Sequence, residues 1–256
     1  MAERPLALVT GGARRVGRAT SLALARGGCD LIVTYRTSED EARGLVDEAR
    51  AFGASIAAER LDLGDLVQVR AFAAAIARSH RRLDVLVHNA SIYAPLPLEA
   101  AAREACEGVF GVEDFMRVNA VAPLVLTAGL AELLRNSVLP IGAGVVAMCD
   151  IHSMGRPRKD HAAYSMSKAA LEEMVRSLAR DLAPRVRVNG VAPGVVAWPE
   201  QGAEADEALQ QRYLSRVPLE RAGTPEDAAE AVRWLALDAA YTTGQIVRVD
   251  GGRWLV

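Results

Sequence analysis

Short apolar runs alternate with amphipathic stretches almost from end to end of the 256-residue sequence. Leu6–Val9, Leu31–Tyr35, Ser55–Arg60, Val85–Val87, Val145–Cys149, Val186–Val191 and Gln245–Val249 read as strands. Several are apolar at nearly every position, as expected of strands covered on both faces. Between them the period lengthens. Ser38-Glu39-Asp40-Glu41 has capping-box spacing, and Ala42, Leu45, Val46 and Ala49 follow on one helical face. Thr224-Pro225-Glu226-Asp227 predicts a second helix start, with Thr as N-cap and Pro in the first turn. Leu66, Val69, Phe72, Ala73 and Ile76 mark a third apolar stripe. Repeated βα units predict a Rossmann-like, doubly wound sheet of about seven parallel strands with right-handed crossovers. No linker, low-complexity tract or internal repeat breaks the pattern, so residues 1–256 are expected to form one domain.

Composition narrows the partners. Thirty Lys and Arg against 32 Asp and Glu give a net charge of −2. With no basic tract, neither nucleic acid nor a membrane surface is indicated. No apolar run reaches membrane-spanning length, and the N-terminus enters a strand directly, without signal-peptide character. Three cysteines (Cys29, Cys106 and Cys149) without a C-x-x-C spacing suit a reduced, cytoplasmic protein with buried thiols and no metal site.

The first strand runs into T-G-G-A-R-R-V-G, Thr10 to Gly17, and a helix follows. Glycines at such a turn admit a pyrophosphate close to the backbone, at the positive end of the helix. Arg15 stands where the usual pattern has its middle glycine. An NAD site carries an acid about 20 residues further on; Leu31–Ser38 has none and offers Tyr35-Arg36-Thr37. A guanidinium there suits a 2′-phosphate, so with Arg14 nearby the expected cofactor is NADPH. The alternative reading of Arg36 is a solvated surface charge.

Tyr164 and Lys168 lie four residues apart in an Ala-rich helical segment and so share a face. A cation beside a phenol favours phenolate and brings proton exchange toward neutrality. Asp150 closes the fifth apolar run just ahead of a basic Gly/Pro loop.

Taken in order, these pieces resemble the short-chain dehydrogenase/reductases. They are the glycine turn, Asp62-Leu63, H-N-A-S at residues 88–91, Asn119, Tyr164-x-x-x-Lys168, N-G-V-A-P-G at 189–194 and V-D-G-G at 249–252. The resemblance implies that Tyr164 is the general acid/base, that Lys168 holds the nicotinamide ribose and tunes the phenol, and that Asn119 holds a water in a proton relay. Gly11, Arg14, Arg15, Val16, Gly17, Tyr35, Arg36, Thr37, Asp62, Leu63, Asn89, Ala90, Ser91, Pro193 and Gly194 would contact the cofactor. It also implies a homotetramer formed through helices near Val112–Arg135 and Ala162–Ala183.

Arg15 in the turn, N-A-S followed by Tyr93, and Asp150 in place of the family's Ser are similar to the pteridine reductase branch, including the dihydromonapterin and dihydrofolate reductases. That likeness implies a small, pterin-like substrate held by Arg15, Ser91, Tyr93, Asp150 and Tyr164. Hydride would add to a C=N bond while the Tyr164–Asp150 pair protonates the nitrogen. A carbonyl reductase with Ser153 replacing the missing Ser is the rival enzyme reading. An idle NADP-sensing regulator is the rival from another class, though such a sensor needs none of Tyr164, Lys168 and Asn119. His80, His88, His152 and His161 lack ligand spacing and read as solvated or capping. Trp198 and the tail Arg253–Val256 read as pocket-closing or as contacts to a neighbouring subunit.

Overall fold

A computed structural model of the chain describes residues 3–102, 110–198 and 206–256. Seven strands form one parallel sheet: β1 Leu6–Val9, β2 Asp30–Tyr35, β3 Ile56–Arg60, β4 Val85–His88, β5 Ala143–Met148, β6 Val186–Pro193 and β7 Ile246–Val249. Their order is β3-β2-β1-β4-β5-β6-β7, and every neighbouring pair runs parallel. All seven predicted strands are present, with ends shifted by a residue or two. The order reverses between β1 and β4, so the crevice beyond their C-terminal ends is where a ligand fits.

The helices are α1 Arg15–Arg26, α2 Glu39–Arg50, α3 Leu66–Ser79, α4 Leu98–Ala101, α5 Val112–Met116, α6 Ala122–Arg135, α7 Ala162–Asp181, α8 Glu207–Leu214 and α9 Pro225–Leu237. A π turn, Arg117–Val121, joins α5 to α6. Alternate residues of every strand but the edge strand β3 feed two cores, which is why these runs are largely apolar. On β5, Ala143, Val145 and Ala147 pack with α3, α6 and α7, while Val146 and Met148 pack with α1, α2 and α9. Small residues set the helix spacing. Ala19 and Ala23 meet Ala229 between α1 and α9, and a Cβ on Gly129 would lie 2.8 Å from that of Ala73.

Two sequence expectations change. Ser38 occupies the N-cap of α2 but makes no side-chain capping bond, because its backbone (φ −96°, ψ 60°) is not in the extended region that aims a cap inward. Thr224, at φ −114° and ψ 162°, does form the reciprocal box with Asp227. Secondly, α5, the π turn and α6 make one 24-residue helix, Val112–Arg135, long and apolar enough by composition to cross a membrane. Its apolarity is spent inside the protein, where Leu126, Leu130 and Leu134 are fully buried. It is a core helix.

Candidate active site

The glycine turn is built for close approach. Gly11 has φ +60°, and a Cβ on Gly17 would sit 2.0 Å from the Gly11 carbonyl oxygen. Thr10 and Asn89 fasten the turn to the end of β4. The Asn89 Nδ2 donates to the Thr10 and Gly11 carbonyls at 3.0 Å each, and the Asn89 and Ala90 amides donate to Thr10 Oγ1. The α1 N-terminus has no side-chain cap and no acid in its first turn, unlike α3, whose first amides are taken by Asp65. Uncapped amides beside a cradle without side chains fit a pyrophosphate. Around it lies a cleft of about 350 Å³ lined by Gly11, Arg14, Arg15, Val16, Gly17, Tyr35, Arg36, Thr37, Asp62, Leu63, Asn89, Ala90 and Ser91.

One acid enters this cleft region from an element the sequence reading did not connect to it. Glu41, on α2, approaches Arg14 Nε at 3.4 Å, with both side chains about half exposed. Arg36 stays exposed at the end of β2 and lines the cleft.

Arg15 has φ +49°, a left-handed backbone that costs an L-residue roughly 1–2 kcal/mol and that glycine adopts freely. Its side chain reaches across to donate from Nη2 to the Ala197 and Trp198 carbonyls, 3.0 Å each. Arg15 therefore walls both the first cleft and a second, of about 480 Å³, beside it.

The second cleft holds the reactive groups. Tyr164 Oη donates to Asp150 Oδ2 at 2.7 Å, and the other carboxylate oxygen accepts the His152 amide at 2.7 Å. Lys168 is buried; its Nζ donates to the Met148 carbonyl at 2.7 Å and lies 5.9 Å from the Tyr164 ring. The phenol is held well above its ordinary pKa, first by burial and then by the Asp150 charge and hydrogen bond. The expected shift toward phenolate is thus reversed: near neutral pH Tyr164 is a protonated donor. Burial lowers the Lys168 pKa, opposed by neighbouring Cys149, Asp150 and Glu172.

Other expectations sort by distance. Asn119 sits in the π turn, a device frequent at functional sites, but its amide is spent on protein. Oδ1 accepts from the Ile92 amide and Ser91 Oγ, while Nδ2 donates to the Ile92 carbonyl and Ser167 Oγ. No part of that side chain is left to hold a water. Ser153 does not replace the family's serine. Its Oγ lies 2.7 Å from the Asp150 carbonyl and 2.5 Å from Glu172 Oε1, which share its one proton, and it does not line the cleft. Gly194 lines the cleft and Pro193, ending β6, does not.

Tyr93 lines the cleft beside Tyr164, its ring edge-on to that phenol at 4.9 Å and stacked on His161 at 5.0 Å. His161 covers one face of the ring. Arg158 and His152 were missed. Arg158 Nη1 donates to Tyr93 Oη at 2.7 Å and Nη2 donates to His152 Nε2 at 3.0 Å, while His152 Nδ1 donates to the Arg156 carbonyl. This pattern requires a neutral His152, whose pKa is lowered by burial and by Arg158. The basic loop R-P-R-K was the only sequence signal for it.

Of the residues read as ordinary, Cys149 is a buried thiol pushed up to about 12 by burial, and His80 stands at the C-cap of α3. His88 is neither solvated nor capping: it is fully buried, its pKa pushed down to about 3, with Nε2 bonded to Thr127 Oγ1. Trp198 lines the cleft, whereas Trp254 packs on Gly155 and under Arg248. Cys106 lies outside the described residues. Among the described residues no His/Cys/Asp/Glu cluster could hold a metal.

A parallel sheet in this order, a glycine cradle at its switch point and a Tyr-x-x-x-Lys pair facing the adjoining cleft define a short-chain oxidoreductase. Residues 11–253 match the family model described as Enoyl-(Acyl carrier protein) reductase, and the chain belongs to that family, within the short-chain dehydrogenase/reductases. It is 32% identical over 251 residues to the 3-oxoacyl-(acyl-carrier-protein) reductase FabG of Staphylococcus aureus, covering 97% of this chain and 98% of the relative. The FabG of Thermotoga maritima is 31% identical over 252 residues, with 98% of each chain covered. Among solved structures, acetoin dehydrogenase from Enterobacter cloacae superposes with a TM-score of 0.83 at 30% identity, over 100% of this chain and 97% of that one. None of these relatives is named for a pterin.

Proposed function

We propose that the chain is an NADPH-dependent reductase of a flat C=N substrate of the dihydropterin type, acting as one domain. The carrying observation is the 2.7 Å bond from Tyr164 to Asp150, with Ser153 turned away. A carboxylate at this place repels the lone pairs of a ketone oxygen. It accepts readily from the N–H and amino groups on the rim of a pterin; the phenol gives its proton to the ring nitrogen and is reprotonated from solvent water by way of the carboxylate. NADPH, when bound, supplies the hydride. Arg14, Arg36 and the α1 amides would hold its phosphates, Asp62 and Leu63 the adenine end, and Lys168 the ribose. Arg15, Ser91 and Tyr93 would orient the substrate.

The second reading is an NADPH-dependent carbonyl reductase, favoured by the printed activities of the relatives. A panel of dihydropterins, activated ketones and 3-oxoacyl thioesters, followed by NADPH oxidation, separates the two. The first reading expects kcat/KM for the dihydropterins to lead by about tenfold or more, with inhibition by a diaminopteridine. A lead for ketones or thioesters without that inhibition establishes the second.

Cofactor choice has its own test. Arg36→Ala is expected to raise KM for NADPH about tenfold, the loss of one charge-assisted phosphate contact, with little change for NADH. Equal wild-type use of NADH would remove the argument, and Glu41 beside Arg14 would then explain the outcome. A homotetramer is supported by apolar side chains left exposed on the two helices expected to pair: Val121, Leu124 and Met166.

A further inference from the structure

Tyr164, Lys168, Glu172 and Arg176 follow one another at four-residue steps along α7 and so share a face. The first two line the reactive cleft. Glu172 does not, yet it is a carboxyl group only 5% exposed. An ionisable group taken out of water is costly unless its bonds offset the loss. Arg176 Nη2, on a half-exposed side chain, comes to 3.6 Å from Glu172 Oε2. The nearer partner is Ser153, whose Oγ lies 2.5 Å from Glu172 Oε1 and 2.7 Å from the Asp150 carbonyl oxygen. Burial raises the Glu172 pKa, and the Ser153 bond and Arg176 oppose the rise.

Three consecutive turns of α7 thus hold the end of β5 and the chain just after it. Lys168 takes the Met148 carbonyl, Tyr164 the Asp150 carboxylate, and Glu172 the Ser153 hydroxyl. Asp150 to Ser153 form a tight turn, in which the Ser153 amide donates to the Asp150 carbonyl at 3.3 Å. Ile151 within it is fully buried, which fixes where the turn sits. Its burial does not fix which way the Asp150 carboxylate faces. That direction depends on a four-residue turn tied at both ends to one helix, by Tyr164 at Asp150 and by Glu172 at Ser153.

We infer that Glu172 is a positioning residue: through Ser153 it holds the turn so that the Asp150 carboxylate stays on the Tyr164 hydroxyl. The inference rests on the reading of Tyr164 and Asp150 as the proton-transfer pair, and it adds a group that acts on them from outside the cleft.

Ser153→Ala, at a half-buried loop position, and Glu172→Met each remove the tie. Each is expected to lower kcat about tenfold and to leave KM for NADPH within about twofold. The double variant should lose no more than either alone, because both substitutions delete one interaction. Glu172→Gln keeps an acceptor for the Ser153 hydroxyl and should hold kcat within about twofold. It also removes the charge that Lys168 feels, so it separates the bond from the charge.

A second readout needs no turnover. Tyr164 is held above the ordinary phenol range first by burial and then by Asp150. The groups facing it are Asp150 from the end of β5, Arg158 and His161 from the loop ahead of α7, Tyr93 from the segment after β4, and Lys168 on α7. With Asp150 released, Tyr164 should ionise at lower pH in Ser153→Ala and Glu172→Met, and not in Glu172→Gln. Ultraviolet titration of each variant against the same variant carrying Tyr164→Phe measures this. A Tyr164 titration unmoved in Ser153→Ala overturns the inference whatever the rate does. So does a Glu172→Gln protein that behaves like Glu172→Met, which would assign the effect to charge alone. A titration shifted in Ser153→Ala and Glu172→Met but not in Glu172→Gln, with no reduction of any substrate, upholds the positioning role and overturns the reductase reading.

Discussion

Tyr164→Phe is expected to lower kcat by at least about a thousandfold while leaving NADPH affinity within about threefold. Phe keeps the ring contacts with Tyr93 and Lys168 and removes the hydroxyl that donates to Asp150. Steady-state kinetics and quenching of the Trp signal by NADPH measure the two halves separately. The phenol pKa is raised well above its ordinary value, so the wild-type rate should not fall through loss of this proton until the pH is strongly alkaline. A rate that falls near pH 7 would point to another group. Near-wild-type kcat in Tyr164→Phe would mean that Tyr164 is not the acid and that another group donates the proton.

Asp150→Ser carries the second large effect. On a dihydropterin it is expected to cost about a hundredfold in kcat, because the phenol loses the carboxylate that relays a proton to it from solvent. On an activated ketone it should raise the rate, since a neutral hydroxyl at the end of β5 can donate to a carbonyl oxygen. Asp150 also accepts the His152 amide and so shapes the loop. Asp150→Asn, which keeps an acceptor for that amide, controls for the structural part. If Asp150→Asn retains pterin turnover, the carboxylate is a loop cap and not part of the proton path. If wild-type ketone turnover already exceeds pterin turnover and falls in Asp150→Ser, the carbonyl reading is right.

The elements were legible because they are written locally. Every strand but β3 is a largely apolar run feeding two cores, and the box at Thr224 and the stripe from Leu66 to Ile76 depend only on near neighbours. Ser38 failed because a cap needs an extended backbone as well as a suitable residue. The cleft was legible by motif but not by contact. That Ser153 would turn to Glu172, that Glu41 would reach Arg14, and that Arg158 would join Tyr93 to His152 all depend on where loops return over the sheet. The phenol was misjudged for a related reason. The Tyr-x-x-x-Lys spacing shows a cation on the same face, but burial and Asp150 outweigh it. His88 looked polar and proved to be interior, held neutral by its surroundings.

The fastening of the glycine turn by Thr10 and Asn89 has a consequence for how tightly a dinucleotide can bind. A glycine-containing loop left to itself samples many backbone shapes, and a ligand that must select one gives up part of its contact energy in doing so. Here the Asn89 amide spans the Thr10 and Gly11 carbonyls, and Thr10 Oγ1 gathers two amides from the end of β4. The ordering is therefore completed when the sheet forms, by bonds that persist whether or not the cleft is filled. The cradle is preorganised, and a ligand entering it gives up less of its interaction energy to ordering the loop.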